Sequence, residues 1–597
     1  MKFLNYLNQI YLEIELNRNI PDIYNKTQGR IVKEKKPEKS DDIIILHTND
    51  IHAGIDNNIG LDGLNLYRKE LLTKYKHVLL VDAGDHIQGA AIGSLTDGED
   101  IIDIMNYLKY DVVTIGNHDF DYGIERLLEL NEKINSKFIC ANLLYRKTKS
   151  TVFDPYKIIK VGNFTIGFIG VITPQTLIKS YLHTVVDENG NLTYDLLTEN
   201  EGRDLYNTIQ GYIAELRNEK NVDYVIILSH IGYGGDGLEQ FTSPALLANI
   251  SGVDAIIDGH SHLVYNSTHK DKEGKEIYIS QTGTKLKNVG KLTIKTKGTI
   301  TSEIIDQIPL FDDYFDNYTI VNRNGIERYV DKDTNKKLED LFESHSDLLK
   351  EIIGKTNFDL DITTERGPIY LSEEIPLGDL IVDSYRYYGQ SDISLINAGF
   401  IKESIKKGNI TSKNILDLLP SSERILVKEV TGKDILDALE FGVRALPKIS
   451  PRFLQVSGIK FKVDENIKSP IIVDNIDNFV KVEGERRIYD VYIGDNKLDE
   501  NKKYKITFDE FLAEGGDGFT MFSKYNITND TFFEDNEVFN LYLVNVLKRT
   551  IPDIYNKTQE RIVKEKKKEP IPTDNSNYFI KYLNEFSFIF LSLILFN

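Results

Sequence analysis

A chain of 597 residues is too long for one hydrophobic core, so two or more domains are expected. Its 41% hydrophobic and 27% charged residues are those of a globular protein, and a net charge of -20 disfavours a nucleic acid polymer as partner, since such binding rests on neutralising phosphates. The single cysteine, Cys140, excludes an intramolecular disulfide and a thiolate zinc cluster, so a metal would be held by His, Asp, Glu or Asn.

The chain opens on "MKFLNYLNQIYLEIELNRN", whose apolar residues are broken by Asn, Gln and Glu and make a poor signal-peptide core. Within the next residues "RNIPDIYNKTQGRIVKEKK", Arg18 to Lys36, recurs as "RTIPDIYNKTQERIVKEKK", Arg549 to Lys567, with two positions different. Nothing similar lies between, so this is no solenoid period. Residues 1–40 read as the tail of another copy of the same module, left by tandem duplication or by a gene-model join. The first globular domain is then expected to begin near Asp41.

From residue 41 to 310 short apolar runs alternate with helical segments. The runs "DDIIILHTND", "HVLLVDAGD", "DVVTIGNHD", "FTIGFIGV", "DYVIILSHI" and "VDAIIDGHSH" have strand length and end in Gly, Asp or His. Such alternation indicates a layered α/β domain, in which active residues gather beyond the strands' C-terminal ends. Residues 311–350, charged and carrying "NKKLEDLFESHSDLLKEIIG", are expected to form an interdomain helical linker. A second unit follows over 351–549. It contains an amphipathic helix in "TGKDILDALEFGV" and a strand running into a glycine loop in "YKITFDEFLAEGGDGFTMF". Residues 550–597 read as a Lys-rich tail with a short apolar end, "FSFIFLSLILF", Phe586 to Phe596. That end falls short of the ~20 residues of a spanning helix. After polar "PTDNSN" it fits a cleaved GPI-type lipid-anchor signal; a frayed or partner-covered end is the plainer alternative.

The strand ends of the first domain supply Asp50 and His52, Asp85, Asn117 and His118, His230, and His260 and His262. One histidine at a strand end is more often hydrogen-bonded structure than a ligand. Five separate runs ending in such donors are not, because unpaired polar groups there cost ~1–3 kcal/mol each. The N/O set suits Zn²⁺, Mn²⁺ or Fe²⁺. The donors outnumber the needs of one tetrahedral ion, and a two-metal site with a bridging carboxylate accounts for the surplus. The competing pattern "GYGGDG", Gly232 to Gly237, matches a dinucleotide loop but leaves "GHSH" unexplained.

In order, "DIH", "GDHIQG", "GNHDFD", "SHIGYGGD" and "GHSH" resemble the calcineurin-like metallophosphoesterases. The form "GNHDFD" together with "FLAEGGDGF" resembles the 5′-nucleotidase branch, which includes UDP-sugar hydrolases and surface ecto-nucleotidases. The resemblance covers residues 41–549. It implies a mixed α/β fold: a four-layer α/β/β/α sandwich joined by a helix to a second α/β substrate-binding domain. It implies two divalent ions, one held by Asp50, His52 and His262, the other by Asn117, His230 and His260, with Asp85 between them. His118 would stabilise the transition state and Asp121 would orient its imidazole. It also implies an extracellular or cell-surface location, with membrane attachment through the C-terminal anchor if that signal is real.

In this family the C-terminal domain holds a nucleoside between two aromatic rings and grips phosphate with arginines. Phe511 fits one ring and Asp517 a ribose-binding or loop-holding carboxylate. The usual "NGGGIR" stands here as "NAGFIK": Asn397 and Gly399 are kept, Phe400 intrudes, and Lys402 replaces arginine. The usual "LPF" is "LPS", with Ser421 in place of the other ring. Glu373 and Glu374 lie where an arginine is expected, leaving Arg366, Arg386 or Arg424 as substitutes. With a ring missing, base discrimination is expected to be poor. The expected activity is release of phosphate from 5′-nucleotides. The alternatives are cyclic nucleotides, sugar nucleotides or another phosphate ester, or a surface protein that binds without catalysis.

Overall fold

A computed structural model describes residues 38–234, 238–308, 317–323 and 325–567. The expectations for residues 1–37, for part of the "GYGGDG" loop and for the apolar C-terminal end lie outside the described residues.

The first apolar run becomes the strand Ser40–Thr48. Successive side chains of a strand point to opposite faces. Ile43 and Ile45 enter a core shared with a second sheet, while Ile44 and Leu46 enter a core under helices. The first sheet runs Ile300–Ile305, Val289–Ile294, Ser40–Thr48, Tyr75–Ala83, Val112–Thr114, Phe138–Ile139. The second runs Val264–Lys270, Glu276–Thr282, Ala255–Ile257, Tyr224–His230, Phe164–Ile172, Tyr156–Val161. Helices Gly60–Lys74, Glu99–Leu108 and Ile124–Lys133 cover the first sheet, and Arg203–Asn218 with Ser243–Asn249 cover the second. The result is the expected four-layer α/β/β/α sandwich.

The helices follow ordinary rules. Glu99–Leu108 starts after left-handed Gly98, carries Glu99 and Asp100 in its first turn, and buries Ile101, Ile104, Met105 and Leu108 on one face. In the second unit a five-stranded sheet runs Leu454–Ser457, Ile393–Asn397, Lys503–Asp509, Arg424–Thr431, Ile527–Glu534. Leu395 and Leu426 face one core with helix Gly432–Gly442, and Ile396 and Ile425 face another with helix Pro376–Gly389.

Two expectations are corrected. The stretch between the units is not helical throughout. Tyr318–Arg323 and Ile326–Asp331 pair as an antiparallel hairpin before helix Lys332–Ser344. The alternation in "YTIVNR" and "IERYVD" is a strand pattern on a charged background. Arg323 pairs with Asp62 at 2.8 Å and Leu338 joins the first unit's core, so this stretch packs on that unit. Residues 550–567 are likewise not a loose tail, since Ile562–Lys564 forms a strand beside Ile459–Val463.

Candidate active site

The strand Ser40–Thr48 delivers Asp50 and His52, and Tyr75–Ala83 delivers Asp85. Asn117 follows Val112–Thr114, His230 ends Tyr224–His230, and His260 and His262 follow Ala255–Ile257. Five of these donors have left-handed backbone: Asp50 (φ 50), His52 (φ 48), Asp85 (φ 57), His260 (φ 75) and His262 (φ 54). Each such residue costs about 1 kcal/mol or more, and this strain lies where donors must be turned inward.

Asp50, His52, Asp85 and His262 offer ligand atoms that all lie within 4.8 Å of one another. His52 Nε2 and His262 Nε2 are 3.0 Å apart, and His262 Nε2 is 3.3 Å from Asp50 Oδ1. Beside them His230 Nε2 lies 3.1 Å from Asp85 Oδ2, and His260 Nδ1 lies 2.8 Å from Asn117 Oδ1. The His230 and His260 rings meet edge-on at 5.4 Å. All seven expected donors are thus brought to one rim.

The ring tautomers suit metal ligation. His52 Nδ1 donates to the Gln88 carbonyl at 3.0 Å and His230 Nδ1 to the Ala83 carbonyl at 2.7 Å. A carbonyl only accepts, so in the neutral rings Nε2 carries a lone pair aimed at the carboxylates, the usual outer support of a metal-bound histidine. Burial disfavours charge on Asp50 and Asp85, yet the imidazoles hold both carboxyls below their ordinary range, Asp85 well below. Burial opposes charge on His230, but with no cation between them Asp85 and Asp50 push it up to about 10, so the Nε2 proton there takes the place that a bound metal ion would hold. Burial keeps His52 neutral. Imidazole nitrogens 3.0 Å apart beside buried anionic carboxylates fit adjacent ligands on one divalent ion, whose Zn–N bonds are ~2.0–2.1 Å.

His118 starts a short turn, His118–Phe120, whose backbone N–H donates to Asp85 Oδ1 at 2.8 Å. Its Nδ1 meets Asp121 Oδ2 at 2.7 Å. Burial opposes its charge, but Asp121 raises its pKa above the ordinary value despite nearby Lys402.

The second unit closes over this rim, leaving a cleft of about 650 Å³. Its lining includes Asp85, Asn117, His118, His260 and His262 on one side and Gly399, Phe400, Lys402, Phe511 and Asp517 on the other. Lys402 is half-buried; desolvation lowers its pKa, while Asp121 and Asp85 act in the opposite direction. Asn397 lies behind the lining, its Nδ2 donating to Asp517 Oδ2 at 2.5 Å. Of the substitute arginines none lines the cleft. Arg424 pairs with Asp530 at 2.8 Å on the surface, Arg366 sits 3.9 Å from Glu373, and Arg386 reaches Ser457. The Phe400 ring packs 5.3 Å from the Phe511 ring, tilted by 39°. The residue that breaks the usual motif in "NAGFIK" thus faces the expected ring.

Several supporting residues escaped the sequence reading. Buried Asp119 accepts from the backbone N–H groups of Asp85 (2.9 Å), His86 (3.0 Å) and Gly116 (2.8 Å), pinning two donor loops together. Asn49 donates to Asp50 Oδ2 at 2.6 Å and to the Gly283 carbonyl at 2.8 Å. Arg452, 2% exposed, donates to the Asp517 carbonyl at 2.6 Å. Lys179 lies 3.5 Å from His260 Nε2. Asp119 and Asn49 stand inside motifs already noted, but their neighbours drew the assignment. Nothing in the sequence marks Arg452 or Lys179.

Residues 43–264 match the family model of the calcineurin-like phosphoesterases, and residues 353–524 match that of the 5′-nucleotidase C-terminal domain. The chain is 28% identical over 569 residues to a 5′-nucleotidase-related protein of Glossina morsitans morsitans, covering 85% of this chain and 92% of that one. It is 26% identical over 554 residues to a 5′-nucleotidase of Bos taurus, covering 84% and 88%. The crystal structure of a 5′-nucleotidase precursor from Thermus thermophilus superposes with a TM-score of 0.68 at 26% identity, over 89% of this chain and all of that one.

Proposed function

The chain belongs to the 5′-nucleotidase family, a calcineurin-like phosphoesterase unit followed by a 5′-nucleotidase C-terminal domain, and from that membership we propose that it hydrolyses 5′-nucleotides to release phosphate, using two divalent ions. The observation that carries this reading is the cleft between the donor rim and the Lys402, Phe400 and Phe511 side chains.

Asp50, His52 and His262 would hold one ion and Asn117, His230 and His260 the other, with Asp85 shared. Ions bound there polarise a phosphoryl group and acidify water. The chain's own residues do the rest. Lys402 binds a phosphoryl oxygen as a point charge, without the two-pronged grip of arginine. Asp121 accepts the Nδ1 proton of His118 and so fixes the ring, and Nε2 of the protonated ring donates to the leaving oxygen. Phe400 and Phe511 form an apolar wall for the base. Asp517, tethered by Asn397 and Arg452, faces the ribose hydroxyls. Closure of the second unit excludes water from the rim.

Phosphate release from a substrate panel in Mn²⁺ or Zn²⁺ tests the reading. Nucleoside 5′-monophosphates should exceed a simple aryl phosphate in kcat/KM by ~10-fold or more, the worth of one stacked base. Better turnover of cyclic or sugar nucleotides would move the activity to those esters, and no turnover of any ester would refute hydrolysis. Among the described residues no helix is long and apolar enough to cross a membrane; attachment, if any, would rest on the C-terminal anchor signal.

A further inference from the structure

The carboxy-terminal copy of the repeated sequence is built into the second unit. It enters beside Ile352–Thr356, where Lys355 N donates to the Arg549 carbonyl and Ile551 N to the Lys355 carbonyl, both at 3.0 Å. Ile551 and Tyr555 are buried in the core under helix Pro376–Gly389. Tyr555 Oη donates to Asp383 Oδ2 at 2.8 Å, and Gln559 N to Glu374 Oε1 at 2.8 Å. Arg561 then enters an acidic nest. Its Nη2 is 2.8 Å from Asp383 Oδ2 and its Nη1 is 3.4 Å from Asp379 Oδ1 and 2.8 Å from the Val456 carbonyl. Ile562–Lys564 completes the dock as a parallel edge strand, with Ile562 opposite Phe461 and Val563 opposite Lys462.

The amino-terminal copy keeps each of these contacting side chains. Ile20, Tyr24, Gln28, Arg30, Ile31 and Val32 correspond to Ile551, Tyr555, Gln559, Arg561, Ile562 and Val563. The two positions that differ are ones the dock tolerates. Thr550, matched by Asn19, bridges to Lys355 through its backbone. Glu560, matched by Gly29, is exposed and left-handed at φ 57. Glycine adopts that conformation freely, so a glycine at the position of Glu560 carries no strain there.

We propose that Arg18–Lys36 is a second docking strand for this groove, and that it enters the groove of a second copy of this chain by exchange with that copy's resident Arg549–Lys567. Each chain carries two segments of this sequence and, among its described residues, one groove of this kind, so one segment is in surplus. Exchange replaces like contacts with like, the low-cost route by which identical elements swap between protomers. The recognition is edge-strand addition, with the arginine in its carboxylate nest giving the register. The resident strand benefits from being tethered nearby, so exchange should grow with protein concentration. This inference does not depend on the hydrolytic activity.

Two measurements on the full chain test it. Arg561→Glu weakens the resident strand and leaves Arg30 intact. Sedimentation should find this variant dimerising at least ~10-fold more tightly than wild type, the advantage of the tethered competitor being reduced. Adding Arg30→Glu should return it to monomer. A monomer at all concentrations up to about 100 µM, or a dimer indifferent to Arg30→Glu, overturns the proposal. Because Arg561→Glu could unfold the second unit, the other measurement leaves the nest untouched. A chain with Val32→Cys is mixed with a chain with Lys462→Cys and oxidised. A disulfide-linked heterodimer is expected, since position 32 matches Val563, which faces Lys462. Yields no higher than those from either chain mixed with wild type overturn it.

Discussion

His118 lies beside the donor rim, with its ring 5.4 Å from that of His52 and its Nδ1 committed to Asp121. His118→Ala should therefore lower kcat by ~10²–10³ while elemental analysis finds metal content near that of wild type. Asp121→Asn should give a smaller loss, because the ring remains but loses its anionic partner. Loss of metal from His118→Ala would make His118 a ligand. Phe400 is the other residue on which the account turns. If it stacks with the base opposite Phe511, Phe400→Ala should raise KM for AMP by ~10-fold and leave aryl phosphate kinetics unchanged, since base stacking is worth ~1–3 kcal/mol. The convergence of the candidate donors was legible in the sequence because each follows an apolar run, where a polar residue needs a reason. Phe400 was legible only as an anomaly, since its partner ring, Phe511, lies far along the chain. Arg452 was not legible at all, because it acts through a backbone carbonyl that any residue could supply.

At the scale of elements, short caps and turns aim the side chains. Asp509 caps helix Glu510–Ala513, the helix that carries Phe511, by accepting from Leu512 N at 2.8 Å. Burial pushes its carboxyl up to about 7; the Leu512 bond opposes this, and Asp517 and Glu510 add to it. In the unfolded chain an aspartate ionises near ~3.9. Between these values the native state holds a proton that the unfolded state has released, so this group's contribution to stability falls as pH rises from about 4 to about 7. Asp509→Asn keeps an acceptor for Leu512 and removes that loss. In denaturant unfolding the variant should gain on wild type between pH 5 and pH 7.5, by an amount on the order of 1–3 kcal/mol. A difference independent of pH would show that Asp509 is ionised throughout. The strands of the sandwich were readable from continuous β-branched runs. The hairpin at Tyr318–Asp331 was not, because alternating polar residues on a half-exposed ribbon resemble a charged linker until helix Gly60–Lys74 is seen beneath it.

At the scale of the whole molecule, the donor rim and the side chains proposed to grip substrate belong to different units, and the contacts joining them are largely polar. Ala91 N donates to Asp417 Oδ1 at 2.8 Å, Ser94 Oγ to the Pro420 carbonyl at 2.7 Å, and Gln88 Nε2 to Ser421 Oγ at 3.2 Å. Interfaces of this kind within a chain open readily. The Phe400–Phe511 wall belongs to the second unit and the donor rim to the first, so a nucleotide that reaches both must enter through such opening. A cysteine pair at Ala91 and Asp417 should lower kcat when oxidised and restore it on reduction; unchanged turnover in the oxidised form would mean that the units do not move during catalysis. That two units share one site was legible from the order of the motifs. How the closing segment Arg549–Lys567 binds the second unit was not, because a Lys-rich stretch reads as solvated until its arginine is seen among carboxylates. The central claim is that the seven donors hold divalent ions on which nucleotide hydrolysis depends. Stripping the protein of metal and titrating it with Mn²⁺, while following both bound metal and phosphate release from AMP, tests that claim most directly. Activity should be absent at the start and rise to a plateau at two ions per chain. Phosphate release that is undiminished without metal, or absent at full loading, would contradict it.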